Sequence, residues 1–385
     1  MIWSMDTEAA SVEGALRASK DPSVFSNLLS EVKRMCEKLG RKAVLMEVCG
    51  SHTWAISHTG IRDLLKDSVD LISGPGCPVC VTSAGEVARM VELARTRGIT
   101  TATFGDMLRV PGPNGSLEAA RAEGHKIQVV YSAWDALELA KANPSWEVVF
   151  LGVGFETTAP ATAVLLRAAR EQGVHNLSLY SAHKTMLQAM RALLGAPDFA
   201  VDGLILPGHV SAVTGWRYFD FVGNEFDVPA AVSGFEACDI MYAVLTILGK
   251  IIGGDHSVSN CYPRAVSADG NVRAMAAIRE VFESKASLWR GLGWVPDSGL
   301  EISEGFRDFD AARRYGLAPV SEEPEPPGCG CARVLTGRMK PYDCPLFGRA
   351  CNPSRPVGPC MVSSEGSCSA YYSHSSCEGR QDGGF

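Results

Sequence analysis

Cysteine is the residue type whose number and spacing stand out in this chain. The sequence has thirteen cysteines in 385 residues, and seven of them follow Gly328. The total is odd and the first ten residues, MIWSMDTEAA, predict no secretory signal, so a framework of structural disulfides is not expected. In a reducing cytoplasm, clustered cysteines bind metal or carry out thiol redox chemistry. The pattern therefore predicts a cytoplasmic protein with a separate cysteine-rich segment.

The first candidate site is the sequence EVCGSHT at residues 47–53. Cys49 ends a predicted strand and precedes a predicted helical turn, so its thiol would lie near the positive end of a helix dipole, which favours the thiolate. His52 could hydrogen-bond that thiolate or a group bound to it. A thiolate ligates soft metals and attacks electrophiles. A buried cysteine at a strand end would also fit the pattern.

The second candidate site is the sequence GPGCPVC at residues 74–80, which places Cys77 and Cys80 in a C-x-x-C motif after a strand. Two such sulfurs are close enough to cycle between a dithiol and a disulfide, as in thioredoxin-type motifs. The alternative is half of a zinc site that cysteines from the C-terminal segment would complete. The proline inside the motif and its position after a strand favour the redox interpretation.

The third candidate site lies in the C-terminal segment. Its spacing C-x14-C-x6-C-x16-C is formed by Cys329, Cys344, Cys351 and Cys368, with Cys331 and Cys360 interleaved. Four thiolates suit an iron–sulfur cluster or a structural zinc. The long spacings differ from the two short knuckles of a zinc ribbon, and six thiols exceed one four-ligand site, so a cluster beside a thiol pair is favoured. A metal centre would also stabilise a segment with too few apolar residues for its own core.

The remaining cysteines are not assigned chemistry. Cys36, Cys238 and Cys261 lie in helix-like or mixed surroundings and are predicted to be packing residues. Cys377, near the end of the chain, is predicted to be a bystander.

The motifs lie on a pattern of alternating strands and helices that extends to about residue 250. Predicted strands are Ala43–Val48, Val69–Ser73, Thr100–Phe104, Ile127–Tyr131, Val148–Val153, Leu177–Ser181 and Val201–Leu206, and predicted helices are Ala84–Thr96, Ala133–Ala142, Ala159–Glu171 and Lys184–Leu194. Most strands are continuous apolar runs, typical of strands covered on both faces. The alternation predicts parallel sheets with right-handed crossovers, as one sheet or two.

Glycine- and proline-rich turns follow several of these strands, at Gly74–Pro78, Gly105–Gly112, Gly152–Thr158 and Pro207–Ser211. Ligands bind at the C-terminal edge of open α/β sheets, so the turns together indicate a shared cleft there, while any single turn could equally contain Gly and Pro for the needs of its loop alone. Polar residues in this loop layer, such as Asp106, Thr158 and Ser211, could bind a polar ligand, but helix capping is favoured for each of them.

Composition excludes several classes of partner. The net charge is −7 and no block of Lys and Arg stands out, so nucleic acid is not expected. The apolar runs are shorter than the roughly 20 residues of a membrane helix, so no membrane association is expected. No complete P-loop is present, so nucleotide hydrolysis is unsupported. The acidic, proline-rich SEEPEPPG at residues 321–328 indicates a linker.

Several long motifs in a fixed order together resemble one family, the HypD family of hydrogenase maturation factors, over nearly the whole chain. They are CGSHT at 49–53, GPGCPVC at 74–80, FGDMLRVPG at 104–112, GFETTAP at 154–160, PGHVS at 207–211, NEFDVPAAVSGFE at 224–236, and the C-terminal CPLFGRAC, PVGPCMVSSEGSC and AYY. The departures are an N-terminal extension of about ten residues and the added Cys377, and neither touches a motif.

The resemblance implies a fold of two Rossmann-like parallel-sheet α/β domains plus a cysteine-rich iron–sulfur region. The expected ranges are 1–40 for an N-terminal helical segment, 41–145 for the first α/β domain with both the Cys49 and CPVC motifs, 146–255 for the second, and 256–385 for the linker and cluster region.

The resemblance also implies a function, a scaffold that assembles the Fe(CN)2CO unit of [NiFe] hydrogenases, and it leaves open whether the protein is itself an enzyme. The expected partners are the HypC chaperone, the cyanide donor HypE and, through HypC, the hydrogenase large subunit. In the CGSHT motif, Cys49 would hold the iron, which is transient cargo, beside His52 and Thr53. Cys77 and Cys80 would be the redox dithiol.

The same resemblance assigns the C-terminal thiols. A [4Fe–4S] cluster would be bound by Cys329, Cys344, Cys351 and Cys368, and Cys331 and Cys360 would be a second thiol pair beside it. Electrons could then reach the Cys77–Cys80 pair, provided that the C-terminal segment folds back over the cleft. Two alternatives stay open: a stand-alone cluster-dependent disulfide reductase, and an interaction module stapled by zinc.

Overall fold

The computed structural model describes residues 12–374, so Cys377 lies outside the described residues. The strands in this range are β1 (Ala43–Glu47), β2 (Val69–Ser73), β3 (Ile99–Thr103), β4 (Lys126–Val129), β5 (Glu147–Gly154), β6 (Leu177–His183), β7 (Gly203–Pro207), β8 (Ala230–Ser233), β9 (Val258–Asn260), β10 (Phe282–Trp289) and β11 (Gly293–Ile302).

The helices in the same range carry the motifs and cover the sheets. They are α1 (Val12–Ala18), α2 (Pro22–Leu39), α3 (Gly50–His58), α4 (Ile61–Leu65), α5 (Pro78–Val81), α6 (Ala84–Arg95), α7 (Gly105–Leu108), α8 (Leu117–Ala122), α9 (Ala133–Ala142), α10 (Ala159–Glu171), α11 (Met186–Leu194), α12 (Gly208–Thr214), α13 (Phe221–Phe226), α14 (Ala237–Gly253), α15 (Val272–Val281), α16 (Ala311–Arg314), α17 (Cys331–Leu335) and α18 (Ser367–His374). Short 3-10 helices occur at Trp216–Phe219, Glu304–Phe309, Pro341–Asp343 and Pro359–Met361. None of the helices within residues 12–374 combines the length and apolar character that crossing a bilayer requires.

The first compact unit consists of residues 12–76, 194–271 and 373–374. Its sheet has the strand order β2-β1-β7-β8-β9, and every neighbouring pair is parallel. The strands β1 and β7 are almost wholly buried apolar runs, as expected for strands covered on both faces. Helices α2 and α14 pack against each other, and their apolar faces form a core with the strands.

The second compact unit consists of residues 77–193 and 272–372. Its sheet has the order β4-β3-β5-β6, again with parallel pairs, and β10 and β11 form a separate antiparallel hairpin. The helices α6 and α9 begin with capping boxes at Ser83 and Ser132, which satisfy backbone N–H groups of their first turns. The unit buries apolar residues in two clusters around the parallel sheet.

Two parallel sheets with connecting helices confirm the predicted α/β class with two Rossmann-like units. Each of the seven predicted strands overlaps an observed one. The ranges of the two units differ from the consecutive 41–145 and 146–255 that the resemblance suggested, because β7 pairs with β1 rather than with β6. Each unit is therefore assembled from separated segments.

Strands β8 to β11 were not predicted from the sequence. The strand β8 is only AAVS and β9 only VSN, and both are too short to give a periodic signal. The hairpin strands β10 and β11 carry exposed polar residues and a register shift between Lys285 and Ser287, which obscures their alternation.

The chemistry-bearing turns follow the carboxyl ends of the parallel strands, as predicted. In the first unit, residues 49–50 follow β1, residues 74–76 follow β2, residues 208–209 follow β7 and residues 234–235 follow β8. The turns at 104–112 and 154–158 follow β3 and β5 of the second unit instead. The four turns predicted to share one cleft thus belong to two different sheets.

Candidate functional site

Cys49 lies at the start of helix α3, two residues after β1 ends. It is the N-cap residue, with extended backbone angles of φ −149° and ψ 126°, and its side chain does not cap the helix. Its carbonyl accepts the hydrogen bond from Thr53 N at 3.0 Å, which closes the first turn. The thiol is buried, with 7% exposure. The predicted combination of strand end and helix start is therefore confirmed, and the helix dipole favours a thiolate here.

Gly76 packs directly against the backbone of Cys49. The carbonyl of Gly76 accepts a hydrogen bond from Gly50 N at 3.0 Å. A Cβ atom at Gly76 would collide with the N and Cα atoms of Cys49. Glycine is therefore required at this point for α3 to begin where it does.

His52 is wholly buried and packs beside the aromatic ring of Phe235. Its Nε2 donates to the carbonyl of Gly234 at 2.9 Å, and its ring stacks on Phe235 with centroids 4.7 Å apart. Burial lowers the pKa of His52 to about 4, so the ring is neutral near pH 7. A ring protonated at Nε2 has an acceptor at Nδ1. The predicted hydrogen bond from His52 to the Cys49 thiolate therefore stays a prediction. In this tautomer Nδ1 accepts hydrogen bonds and does not donate them.

Three further side chains lie near the start of α3, those of Ser51, Thr53 and His209. The other face of Phe235 stacks on His209, with centroids 3.9 Å apart, and His209 Nδ1 lies 3.4 Å from the hydroxyl of Ser51. Thr53 Oγ1 donates to the Cys49 carbonyl at 3.3 Å. Three strand ends thus contribute side chains around the beginning of one helix, and the end of β2 contributes the backbone of Gly76.

Glu47 is a buried carboxylate that sequence reasoning did not assign. Its side chain is 0% exposed, and it accepts a hydrogen bond from Ser73 Oγ at 2.7 Å. Arg62 approaches the same oxygen at 3.5 Å. Burial raises the pKa of Glu47, while Arg62 and Ser73 oppose that shift. The signal in the sequence was an acidic residue ending an apolar strand, two residues before Cys49.

In the second unit, Cys77 and Cys80 are joined as a disulfide across helix α5. Their Cα atoms are 5.2 Å apart, and Cys77 is the N-cap residue of α5, whose first residue is Pro78. Both cysteines are buried, and Cys77 Sγ accepts a hydrogen bond from Cys80 N at 3.2 Å. The two sulfurs are therefore as close as thiol–disulfide cycling requires.

The C-terminal thiols gather around one small pocket. Its cysteine lining consists of Cys329, Cys331, Cys344, Cys351, Cys360 and Cys368. The other lining residues are apolar or glycine, so no charged side chain competes with the thiols. A Cβ at Gly358 would lie 2.6 Å from Cys329 Sγ, which shows how closely the backbone cradles that sulfur.

The donor set fits a cluster. Six thiols and no charged side chain line the pocket, and thiolates are the ligands of iron–sulfur clusters. A zinc ion needs its four ligands around one atom, whereas each thiolate of a [4Fe–4S] cluster binds a different iron. All six thiols line the pocket, so which four would hold the cluster stays a prediction from the family resemblance.

Cys331 and Cys360 form hydrogen bonds with two of the predicted cluster ligands. Cys331 interacts with Cys329 and Cys360, and Cys360 also interacts with Cys368. Hydrogen bonding to Cys331 raises the pKa of Cys329, and burial raises the pKa of Cys360. Cys331 and Cys360 therefore lie beside the predicted ligands, and their role as a second thiol pair stays a prediction.

The C-terminal segment packs on the dithiol. Helix α5 contacts α17 and the 3-10 helix Pro359–Met361, which carry Cys331 and Cys360 respectively. The sulfur of Cys80 lies 4.0 Å from the Pro359 carbonyl oxygen. The folding back of this segment onto the CPVC motif, a condition of the predicted electron path, is observed within the second unit.

The FGDMLRVPG turn also holds the C-terminal segment. Asp106 accepts a hydrogen bond from Ser363 Oγ at 2.7 Å, and Arg109 donates to the Pro353 carbonyl at 3.2 Å. The predicted capping by Asp106 is wrong, because it lies inside the first turn of α7 and binds Ser363 instead.

Two other capping predictions also fail. Thr158 is the N-cap of α10 but makes no side-chain cap. Ser211 lies within α12. The three packing cysteines, Cys36, Cys238 and Cys261, are buried as predicted.

Comparison with known proteins identifies a family. The family model HypD, described as the Hydrogenase formation hypA family, matches residues 23–375. Hydrogenase maturation factor HypD of Rhodobacter capsulatus is 42% identical over 363 residues, covering 92% of this chain and 96% of that protein. The protein of the same name from Escherichia coli K12 is 43% identical over 331 residues, covering 86% and 88%. That of Azotobacter vinelandii is 44% identical over 341 residues, covering 87% and 90%.

Proposed function

This chain belongs to the HypD family of hydrogenase maturation factors, and we propose that it is a scaffold on which the Fe(CN)2CO unit of a [NiFe] hydrogenase is assembled. The observation that carries the proposal is the position of Cys49, whose thiol lies at the N-cap of α3 at the carboxyl edge of a parallel sheet. The iron unit is cargo, and it leaves for the hydrogenase when complete.

The chemistry of the Cys49 site suits that cargo. A thiolate is a soft donor, and the positive end of α3 favours the thiolate form. Cyanide and carbon monoxide are strong-field ligands that stabilise low-spin Fe(II), for which a soft thiolate is an appropriate protein ligand. The neutral ring of His52 presents Nδ1 as a hydrogen-bond acceptor, and its bond to Gly234 keeps the ring fixed.

The partners follow from the family. The chaperone HypC would share the iron with Cys49, HypE would deliver cyanide, and the hydrogenase large subunit would receive the unit through HypC. A reducing cytoplasm suits a protein whose proposed sites use nine of its thirteen cysteines.

The second unit would supply electrons. Cys329, Cys344, Cys351 and Cys368 would hold a [4Fe–4S] cluster, which supplies one-electron transfer when bound. The Cys77–Cys80 pair takes up two electrons when its S–S bond breaks, so it can store what two one-electron transfers deliver. The packing of α5 against the segments of Cys331 and Cys360 supports this arrangement.

The deciding experiment is the infrared spectrum of the anaerobically purified protein bound to HypC, with Cys49→Ala as the test. We expect the variant to fold, to keep about four irons and four acid-labile sulfides, and to bind HypC at least weakly. It should lose the CN and CO bands, because the protein ligand of the cargo iron is gone. Cys238→Ala is the matched control, since it removes another buried thiol of the same unit.

Full-strength bands in Cys49→Ala would show that the iron is held elsewhere, and the assignment would be dropped. The packing of the dithiol on the C-terminal segment equally favours a stand-alone disulfide reductase. That function needs no CN or CO bands in the wild type, so the spectrum separates the two. Stoichiometric zinc without acid-labile sulfide would instead indicate an interaction module whose C-terminal segment is held together by zinc.

A further inference from the structure

Arg290 is a buried guanidinium that the proposed function does not use. It follows β10 directly and is only 2% exposed. Its Nε donates to the Cys80 carbonyl at 3.1 Å, and its Nη2 donates to the Thr82 carbonyl at 3.0 Å. Its backbone N–H donates to the Val81 carbonyl at 2.9 Å. One residue thus binds three consecutive carbonyls at the end of the CPVC helix.

The third arm of the guanidinium is paired with an acid. Nη1 of Arg290 forms an ion pair with Glu325, which lies in the SEEPEPPG segment just before Cys329. The Glu325 side chain is 34% exposed, so this counter-charge is partly solvated while the guanidinium is not. A buried guanidinium stays charged in proteins, and its field is weakly screened.

We propose that Arg290 is a positioning residue that sets the reduction potential of the Cys77–Cys80 pair by holding a buried positive charge against α5, with Glu325 moderating that charge. The inference rests on the proposed function only in taking this pair to be redox-active. A cation beside a dithiol stabilises its thiolate, and a stabilised reduced form makes the disulfide a stronger oxidant.

The reaction that the charge biases is the two-electron reduction of the Cys77–Cys80 disulfide. The S–S bond of the pair breaks, two electrons enter, and one proton binds, which leaves one thiol and one thiolate. In the proposed function the electrons come singly from a one-electron donor of the iron–sulfur class. In the test they come from dithiothreitol, whose two thiols lose two protons and close to a cyclic disulfide.

The test measures an equilibrium in the full chain. The protein is equilibrated anaerobically with dithiothreitol buffers of graded ratio and quenched in acid. After alkylation in denaturant, the peptide with Cys77 and Cys80 is quantified by mass spectrometry. For Arg290→Gln we expect the equilibrium constant for reduction to fall about tenfold, which corresponds to ~30 mV for a two-electron couple. Arg290→Lys keeps the positive charge but cannot make all of the guanidinium's hydrogen bonds, so its constant should lie between those of Arg290→Gln and wild type.

The direction of the shift in a second variant distinguishes an effect of charge from an effect of structure. Glu325→Gln leaves the guanidinium without its counter-charge, so the equilibrium constant should rise rather than fall. If the contact between Arg290 and Glu325 only holds the turn in place, both variants should loosen that turn and shift the equilibrium in the same direction. The matched control is Arg95→Gln, which removes the exposed bidentate pair with Glu123 in the same unit and should shift nothing.

Shifts of the same sign in Arg290→Gln and Glu325→Gln, or no shift in either, would overturn the proposal. If Arg290→Gln does not fold, Glu325→Gln decides alone, because an unshifted or lowered constant there contradicts a moderated charge. Failure of the scaffold function has a different signature, which is CN and CO bands surviving in Cys49→Ala while the thiol titration behaves as described.

Discussion

Cys49 and Cys77 occupy the same local position in their respective units. Each has extended backbone angles and occupies the N-cap position of a helix that begins at the next residue, but only the Cys77 side chain accepts a capping hydrogen bond. The sequence predicts Cys49 between a strand and a helix, and it predicts Cys77 after a strand, because a glycine- or proline-led turn marks the end of each apolar run. The helix start at Cys77 was not predicted. The contacts of Arg290 and Glu47 could not be predicted in the same way. Their partners lie on other elements, so no short sequence motif contains both members of a contact.

A buried histidine gives the second unit a dependence on pH. His183 ends β6, and its Nε2 lies 3.2 Å from Thr162 Oγ1. Burial lowers the pKa of His183 to about 3, below the ordinary value near 6.5. The unfolded chain therefore binds a proton first as the pH falls, and stability present above pH 6.5 is lost below it. Between pH 6.5 and pH 5 the loss is about 2 kcal/mol for one such group.

His183→Gln should remove this part of the pH dependence. We expect the difference between the urea midpoints at pH 7 and pH 5 to shrink relative to wild type, because glutamine has no proton to take up. His52, whose pKa burial lowers to about 4, leaves a remaining dependence. The control is His125→Gln, which changes a partly exposed ring. An unchanged midpoint difference in His183→Gln would refute the argument.

At the scale of elements, the start of α3 is fixed by the close approach of Gly76. Gly76→Ala should displace the first turn of α3, because its Cβ meets the backbone of Cys49. We expect a loss of about 1–3 kcal/mol in unfolding free energy together with weakened CN and CO bands. The measurements are a denaturation curve and the infrared spectrum of the HypC-bound protein.

Gly253→Ala supplies the control for that experiment. Gly253 ends α14, and a Cβ there meets nothing within 4 Å. The iron and sulfide content expected of the proposed cluster in the second unit should be the same in both variants, since neither glycine belongs to that unit. Gly76→Ala binding cargo iron as well as Gly253→Ala does would show that the start of α3 tolerates displacement.

The pairing of elements was harder to predict than their existence. The seven predicted strands were found because most of them are runs of apolar residues, which is a local property. Their grouping is not local, since Leu45 pairs with Gly203 across an inserted second unit. Sequence order suggested that neighbours along the chain share a sheet, and the segment 77–193 breaks that rule.

At the scale of the whole molecule, this interleaving makes a prediction about fragments. Residues 1–145 contain only β1 and β2 of the first sheet, without β7, β8, β9 or the helix α14. One face of α2 packs on α14 in the intact unit, so the fragment would expose that apolar face to water. The loss of three of five strands also removes the neighbour of β1 on one side.

We therefore expect residues 1–145 expressed alone to show no cooperative urea transition and little protection of the β1 amides from hydrogen exchange. A chain that joins residues 12–76 to 194–271 through a long Gly-Ser linker keeps every strand of the first sheet, together with α2 and α14. It should unfold cooperatively, because linker length adds only weakly to the entropy of closure. Cooperative unfolding of 1–145, or its absence in the joined chain, would mean that the compact unit seen here is not the unit that folds.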